Sequence, residues 1–362
     1  MNSNDEQVVD AINSFFPVLV NALDTLAYIG RHLHPPQLDH LLANVESGAV
    51  ILAEHINRFH KVSWPDHLLP FKLTADASAN LACKAFEALA QAKTESNGIF
   101  TAYKALGQYT KSVEALYPLA SVFPPLSLYY LNDRERSDEA LLQKLAKIGS
   151  TSDGLGVIHV NNERSERGGY SLYVPEYYDK DTPMPLIMAL HGGSGHGRNF
   201  LWTWLKAARS RGAILVCPTS VGNTWSLSGP DRDSLSLEKI LSSISSEWNV
   251  DQQTLLLTGM SDGGTYTYLN GLQNESPFTH LAPISASFHP LLLQFADSQR
   301  LKDLPLYLVH GILDWMFTID MANAANESLK NSGVNIKYRP IADLSHTYPI
   351  EENANIMDWF LS

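Results

Sequence analysis

Apolar positions follow two different rhythms along this chain. In the first 149 residues they recur at steps of three and four, the spacing of one helix face. Val8, Ile12, Phe15, Leu19, Leu23 and Leu26 predict a first helix, either kinked at Pro17 or split there into two. Pro35-Pro36 breaks the chain, and Leu38, Leu41, Leu42, Val45, Leu52 and Ile56 predict a second. Ala77, Leu81, Ala85, Phe86 and Leu89 predict a third; Phe100, Tyr103, Leu106, Val113, Leu116 and Tyr117 predict a fourth. A short charged helix over about 135–148 leads into the glycine-bearing stretch Ser150 to Gly156. Residues 1–149 are therefore expected to form an all-helical module, a bundle.

From 150 onward short β-prone runs alternate with helical stretches. Val157–Val160 and Tyr170–Val174 read as two strands joined by a polar turn. Pro185–Leu190, Ala213–Cys217, Thr254–Thr258, Leu281–Ala286, Pro305–Val309 and Val334–Tyr338 continue the series, with helices expected over 202–211 and 235–247. Strands alternating with helices predict an α/β domain over 150–362. Its sheet should be mainly parallel, with about eight strands and an antiparallel start.

Composition narrows the function classes. A net charge of −12 argues against a nucleic-acid partner, which would need clustered Lys and Arg. Two cysteines, Cys83 and Cys217, indicate no disulfide framework and suit a reducing compartment. The acidic start Met1-Asn2-Ser3-Asn4-Asp5-Glu6 lacks the basic residues of a secretory signal, and no apolar run is expected to span a membrane. A cytoplasmic location is the expectation.

The chemistry gathers at strand ends. Thr254–Thr258 runs into Gly259-Met260-Ser261-Asp262-Gly263-Gly264, followed by a helical stretch. A serine between glycines on a strand-to-helix turn is the layout of a nucleophile elbow. The serine backbone there is strained, and side chains two residues away on either side would collide across the turn. A serine hydroxyl needs a base, and the base needs a carboxylate. Asp314 lies just past the strand ending at Val309, within His310-Gly311-Ile312-Leu313-Asp314, and His346 follows the last strand. Leu190-His191-Gly192-Gly193-Ser194-Gly195 follows the third strand and can offer backbone N–H groups to a developing oxyanion. The expected donors are the N–H of Asp262 and that of Gly193, with Ser194 as rival to Gly193.

With these motifs in this order, residues 150–362 resemble the α/β-hydrolase superfamily. Within it they are similar to the phospholipase/carboxylesterase and polyhydroxybutyrate-depolymerase-like esterases. The resemblance implies a serine esterase with Ser261, Asp314 and His346 as catalytic residues, no metal, no cofactor and a small-molecule ester as substrate. One departure stands out: many relatives carry Val-Pro shortly after the acid, where this chain has Met316-Phe317. The helical module lies outside the resemblance and could act as a lid, an interaction element or the basis of a homo-oligomer.

Rivals exist for several positions. Asp320 and Asp343 compete with Asp314, and His310 and His289 with His346; His310 is expected to shape the acid loop and His191 the oxyanion loop. Trp225 and Trp315 are candidate substrate-binding residues beside those loops. Arg232 reads as half of a structural ion pair, with an acidic substrate group as its other conceivable partner. Six histidines of the helical module, His32, His34, His40, His55, His60 and His67, show no metal-ligand spacing. Two other function classes remain in view. A prolyl-oligopeptidase-type peptidase uses the same triad but usually carries a β-propeller rather than helices. A hydrolase-fold binding protein would not need the triad intact.

Overall fold

The computed structural model describes residues 3–146 and 154–362. The glycine-bearing stretch after Gly149 and the expected boundary at 149/150 therefore lie largely outside the described residues. The chain divides into two compact units, Met1–Tyr130 and Leu131–Ser362.

The first unit is helical: α1 Ser3–His32, α2 Leu38–Leu41, α3 Val45–His60, α4 Leu69–Ala92, α5 Gly98–Leu116 and α6 Pro124–Tyr129. Helix α1 runs unbroken through Pro17, which is exposed, as is Asn13, the residue whose carbonyl loses its intrahelical donor. The second expected helix is two, α2 and α3, separated at 42–44. Phe15, Leu19, Leu23 and Leu26 are buried, and Phe15 stacks on Phe59 at 4.2 Å. By length and composition Asn4–His32 is long and apolar enough to cross a membrane, against the expectation that no stretch would be. The reason is that polar positions such as Asn13, Ser14 and Asn21 interrupt the apolar run without adding charge.

Residues Leu131–Ala146 belong to the second unit, not to the helical one. The Asn132 N–H donates to Ser210 Oγ at 2.9 Å, and Arg134 makes two bonds of 2.9 Å to the Asp358 carboxylate. Helix α7, Glu139–Ala146, follows. The sheet then comprises β1 Gly156–Val160, β2 Tyr170–Val174, β3 Met184–Leu190, β4 Ile214–Pro218, β5 Val250–Met260, β6 His280–Ile284, β7 Pro305–Gly311 and β8 Asn335–Ile341. Its order is β1-β2-β4-β3-β5-β6-β7-β8. Strand β2 pairs antiparallel with β1 and with β4, and every other pair is parallel, which is the α/β-hydrolase fold.

Helices α8 Gly197–Arg211, α9 Asp233–Glu247, α10 Asp262–Gly271, α11 Leu292–Phe295, α12 Ser298–Leu301, α13 Ile319–Asn331 and α14 Glu352–Phe360 complete the unit. The central strands are apolar on both faces because helices cover both: Leu186, Ile187, Met188, Ala189 and Leu190 of β3 are all fully buried. Every parallel strand points its C-terminal end to the same rim of the sheet. The loops after β3, β4, β5, β7 and β8 therefore share that rim, and ligands of open α/β sheets bind outside such carboxyl ends.

Candidate active site

Ser261 sits between β5 and α10 with φ 55° and ψ −119°, a conformation that L residues rarely adopt. Its N–H donates to Ile284 O at 3.0 Å, and its carbonyl accepts from Thr265 N at 2.8 Å. A Cβ on Gly259 would stand 2.5 Å from the Gly263 carbonyl carbon, and one on Gly263 would strike the carbonyls of Leu190 and His191. The two glycines thus let the turn close against itself and against the end of β3.

The three residues expected to cooperate are brought together. Ser261 Oγ lies 3.0 Å from His346 Nε2, and His346 Nδ1 lies 2.9 Å from Asp314 Oδ2. His346 and Asp314 are each 5% exposed. Among the acids in contention with Asp320 and Asp343, it is Asp314 whose two oxygens both lie within 3.1 Å of His346 Nδ1. The second Asp314 oxygen, Oδ1, accepts the backbone N–H groups of Met316 at 3.0 Å and Phe317 at 2.9 Å. The Phe317 ring stands edge-on to His346, 5.3 Å between centroids. The dipeptide that departs from the family pattern therefore holds the acid from below and packs the imidazole from the side.

His310 lies behind this group and is fully buried. Its Nε2–H donates to Phe317 O at 2.8 Å, closing the acid loop, and Asp314 Oδ2 is 3.7 Å away. Burial depresses its pKa, partly opposed by the Phe317 carbonyl and Asp314, so the ring stays neutral.

The loop after β3 turns tightly, with Gly195 N donating to Gly192 O at 3.0 Å and Ser194 at φ 54°. His191 anchors it: Nδ1–H donates to Gly192 O at 2.7 Å while Nε2 accepts from Ser220 N at 3.1 Å. That pairing fixes one neutral tautomer, and burial pushes its pKa down to about 3. Gly193 faces the residue after Ser261 so closely that a Cβ there would be 2.7 Å from Asp262 Oδ2. Asp262 opens α10, where the first N–H groups have no partner inside the helix. Its carboxylate accepts from Thr224 Oγ1 at 2.5 Å.

Arg167, on the turn between β1 and β2, is a residue that spacing does not reveal. Its Nη1 donates to Gly195 O at 2.6 Å and its Nε to Gly222 O at 2.9 Å and Ser220 O at 3.1 Å. Its Nη2 reaches Ser220 Oγ and Asn223 O. One guanidinium thereby ties the loop after β3 to the loop after β4.

Of the two candidate tryptophans, Trp225 is 2% exposed, stacks on Tyr266 and donates from Nε1 to His191 O at 2.7 Å, so it braces the loop after β3, and it is also one of the residues lining the cleft formed by the loop after β4. Trp315, beside the acid, is 38% exposed. Arg232 is exposed, and among the described residues its guanidinium has no ion-pair partner, against the structural pairing expected for it. In the first unit His60 pairs with Asp76 at 2.8 Å, and among the described residues no three metal-ligating side chains are grouped.

No protein-family model matches the chain. A bifunctional acetylxylan esterase/xylanase of Neocallimastix patriciarum is 27% identical over 202 residues, covering 54% of this chain and 29% of that protein. A probable feruloyl esterase C of Aspergillus terreus is 26% identical over 187 residues, covering 49% of this chain and 65% of that one. The chain thus spans less than two thirds of these relatives. A solved ferulic acid esterase is similar at a TM-score of 0.47 and 18% identity, covering 57% of this chain and 95% of its own. The sheet and the sequence relatives agree with the α/β-hydrolase esterase superfamily that the motifs resemble.

Proposed function

We propose that the chain is a serine carboxylesterase working through an acyl-enzyme. What supports this reading most is the unbroken series Ser261 Oγ–His346 Nε2–Asp314, with contacts of 3.0 and 2.9 Å at the rim of the sheet. In the reaction His346 Nε2 takes the Ser261 proton as Oγ attacks the ester carbonyl. The imidazolium keeps its Nδ1–H on Asp314, whose charge favours that protonated form. The negative oxygen of the tetrahedral intermediate is held by the N–H groups of Asp262 and Gly193. Collapse expels the alcohol, which takes the proton from His346. Water then attacks the acyl-enzyme, giving up a proton to His346; the acyl–Oγ bond breaks, His346 returns the proton to Ser261 Oγ, and the carboxylic acid leaves.

The names of the sequence relatives suggest acetyl esters of a xylan, or feruloyl esters, as the substrate class. Exposed Trp315 beside the acid gives an aromatic acyl group a surface to stack on. The test is active-site labelling with a fluorophosphonate, run beside turnover of phenyl acetate and methyl ferulate. A label mapped to Ser261, abolished in His346→Ala, is expected. A label on another serine, or none with esters still turned over, would overturn the assignment.

A further inference from the structure

Beside the oxyanion loop lies a cleft of about 450 Å³ formed by the loop after β4, lined by Gly222, Asn223, Thr224, Ser226, Ser228 and Arg232 among others. Its near wall is bonded to the site: Thr224 Oγ1 donates to Asp262 Oδ2 at 2.5 Å, and Asn223 Nδ2 donates to Ser194 Oγ at 3.2 Å. Its far wall carries Arg232, whose Nη2 would be 3.5 Å from a Cβ on Gly222. Strand order sets the direction. β4 lies on the β3 side of β5, and β6, β7 and β8 lie on the other. A substrate centred on Ser261 therefore has one end towards this cleft and the other towards Trp315.

The state of Arg232 is informative. Both neighbouring carboxylates hold other donors. Asp231 accepts from Ser234 and from the Tyr266 hydroxyl at 2.7 Å; Asp233 accepts from Val221 N, Ser226 N and Ser226 Oγ at 2.7–2.8 Å. Among the described residues the guanidinium has no ion-pair partner, in a chain of net charge −12. It also sits at the N-cap of the 15-residue α9, where the helix dipole disfavours a cation. A fork of N–H donors on the wall of a polar cleft matches a carboxylate in charge and in shape.

We propose that this cleft is a subsite for a carboxylate carried by the ester substrate, with Arg232 as its counter-ion. The proposal rests on the serine-esterase reading for its kinetic test and stands apart from it in its binding test. The carboxylate could belong to the acyl group or to the alcohol, and paired substrates separate the two. 4-Acetoxybenzoate against its methyl ester places the charge on the alcohol; p-nitrophenyl hemisuccinate against p-nitrophenyl butyrate places it on the acyl group. In one pair, the ratio of kcat/KM for the charged over the neutral ester is expected to fall about tenfold in Arg232→Gln. Arg232→Lys should recover part of that loss, and rising salt should lower the wild-type ratio. A ratio within twofold of wild type in both pairs overturns the proposal. Calorimetric titration of Ser261→Ala with 4-acetoxybenzoate and p-nitrophenyl hemisuccinate reads the cleft without turnover. Binding of either ligand weakened about tenfold by adding Arg232→Gln supports the subsite even if no ester is hydrolysed; binding of neither, or unchanged binding, refutes it.

Discussion

At the scale of single residues, the site depends on a few atoms whose hydrogen bonds leave no freedom. His191 is the clearest case, donating from one ring nitrogen and accepting at the other. Its pKa is held at about 3 against an ordinary 6.5, so between those values the unfolded chain binds a proton that the folded chain refuses. The stability that this adds is complete above pH 6.5 and is lost as pH falls towards 3, at about 1.4 kcal/mol per pH unit. His191→Gln should therefore flatten the acid limb of a urea-melt series between pH 6.5 and 4, while lowering stability near neutrality. An unchanged slope would mean that the buried ring does not govern it. Arg167 gives a second residue-scale test. As a positioning residue it should affect kcat more than KM: Arg167→Met is expected to lower kcat on phenyl acetate by about 10–100-fold with KM little changed. Partial recovery in Arg167→Lys would fit the clamp, and a loss confined to KM would contradict it.

At the scale of elements, how legible the sequence is depends on how local the cause is. The elbow can be read from Gly259 and Gly263 because the collisions they avoid occur within the turn itself. The strands can be read because central parallel strands must be apolar on both faces. The Phe317 N–H bond to Asp314 cannot be read, since loop shape rather than side-chain type creates it. Arg167 is equally hidden, because the turn between β1 and β2 meets the loops after β3 and β4 only once the sheet has formed. The brace that Trp225 forms is hidden for a related reason: the indole meets Tyr266 of α10 only once the sheet has formed. The join between β2 and α8 offers a stability test. Glu176 and Arg209 pair at 2.9 Å, nearly buried, with Tyr173 OH also donating to Glu176. Arg209→Leu removes the counter-charge from a nearly buried carboxylate and should destabilise by about 3 kcal/mol in chemical denaturation. A change near zero would mean that solvent reaches the carboxylate.

At the scale of the whole molecule, the second unit carries its own core. The buried apolar cluster from Leu172 to Val334 gathers residues of the sheet and the helices that cover it. Leu131–Ser362 expressed alone is therefore expected to unfold cooperatively and to turn over phenyl acetate within about tenfold of the full chain. Loss of cooperative unfolding would show that it needs Met1–Tyr130 to fold. A change in acyl-chain preference would mark the helical unit as a lid, and a change in oligomeric mass alone would mark it as an assembly element. Neither role is written in the apolar periodicity of its helices, which fixes only which faces are buried. The central claim concerns Ser261, and single-turnover kinetics on p-nitrophenyl acetate test it most directly. If the Ser261–His346–Asp314 series acts as a unit, Ser261→Ala should remove the acylation burst and lower kcat by about 10⁶-fold in a protein that still folds. A burst and rate equal to wild type in that variant would contradict the account.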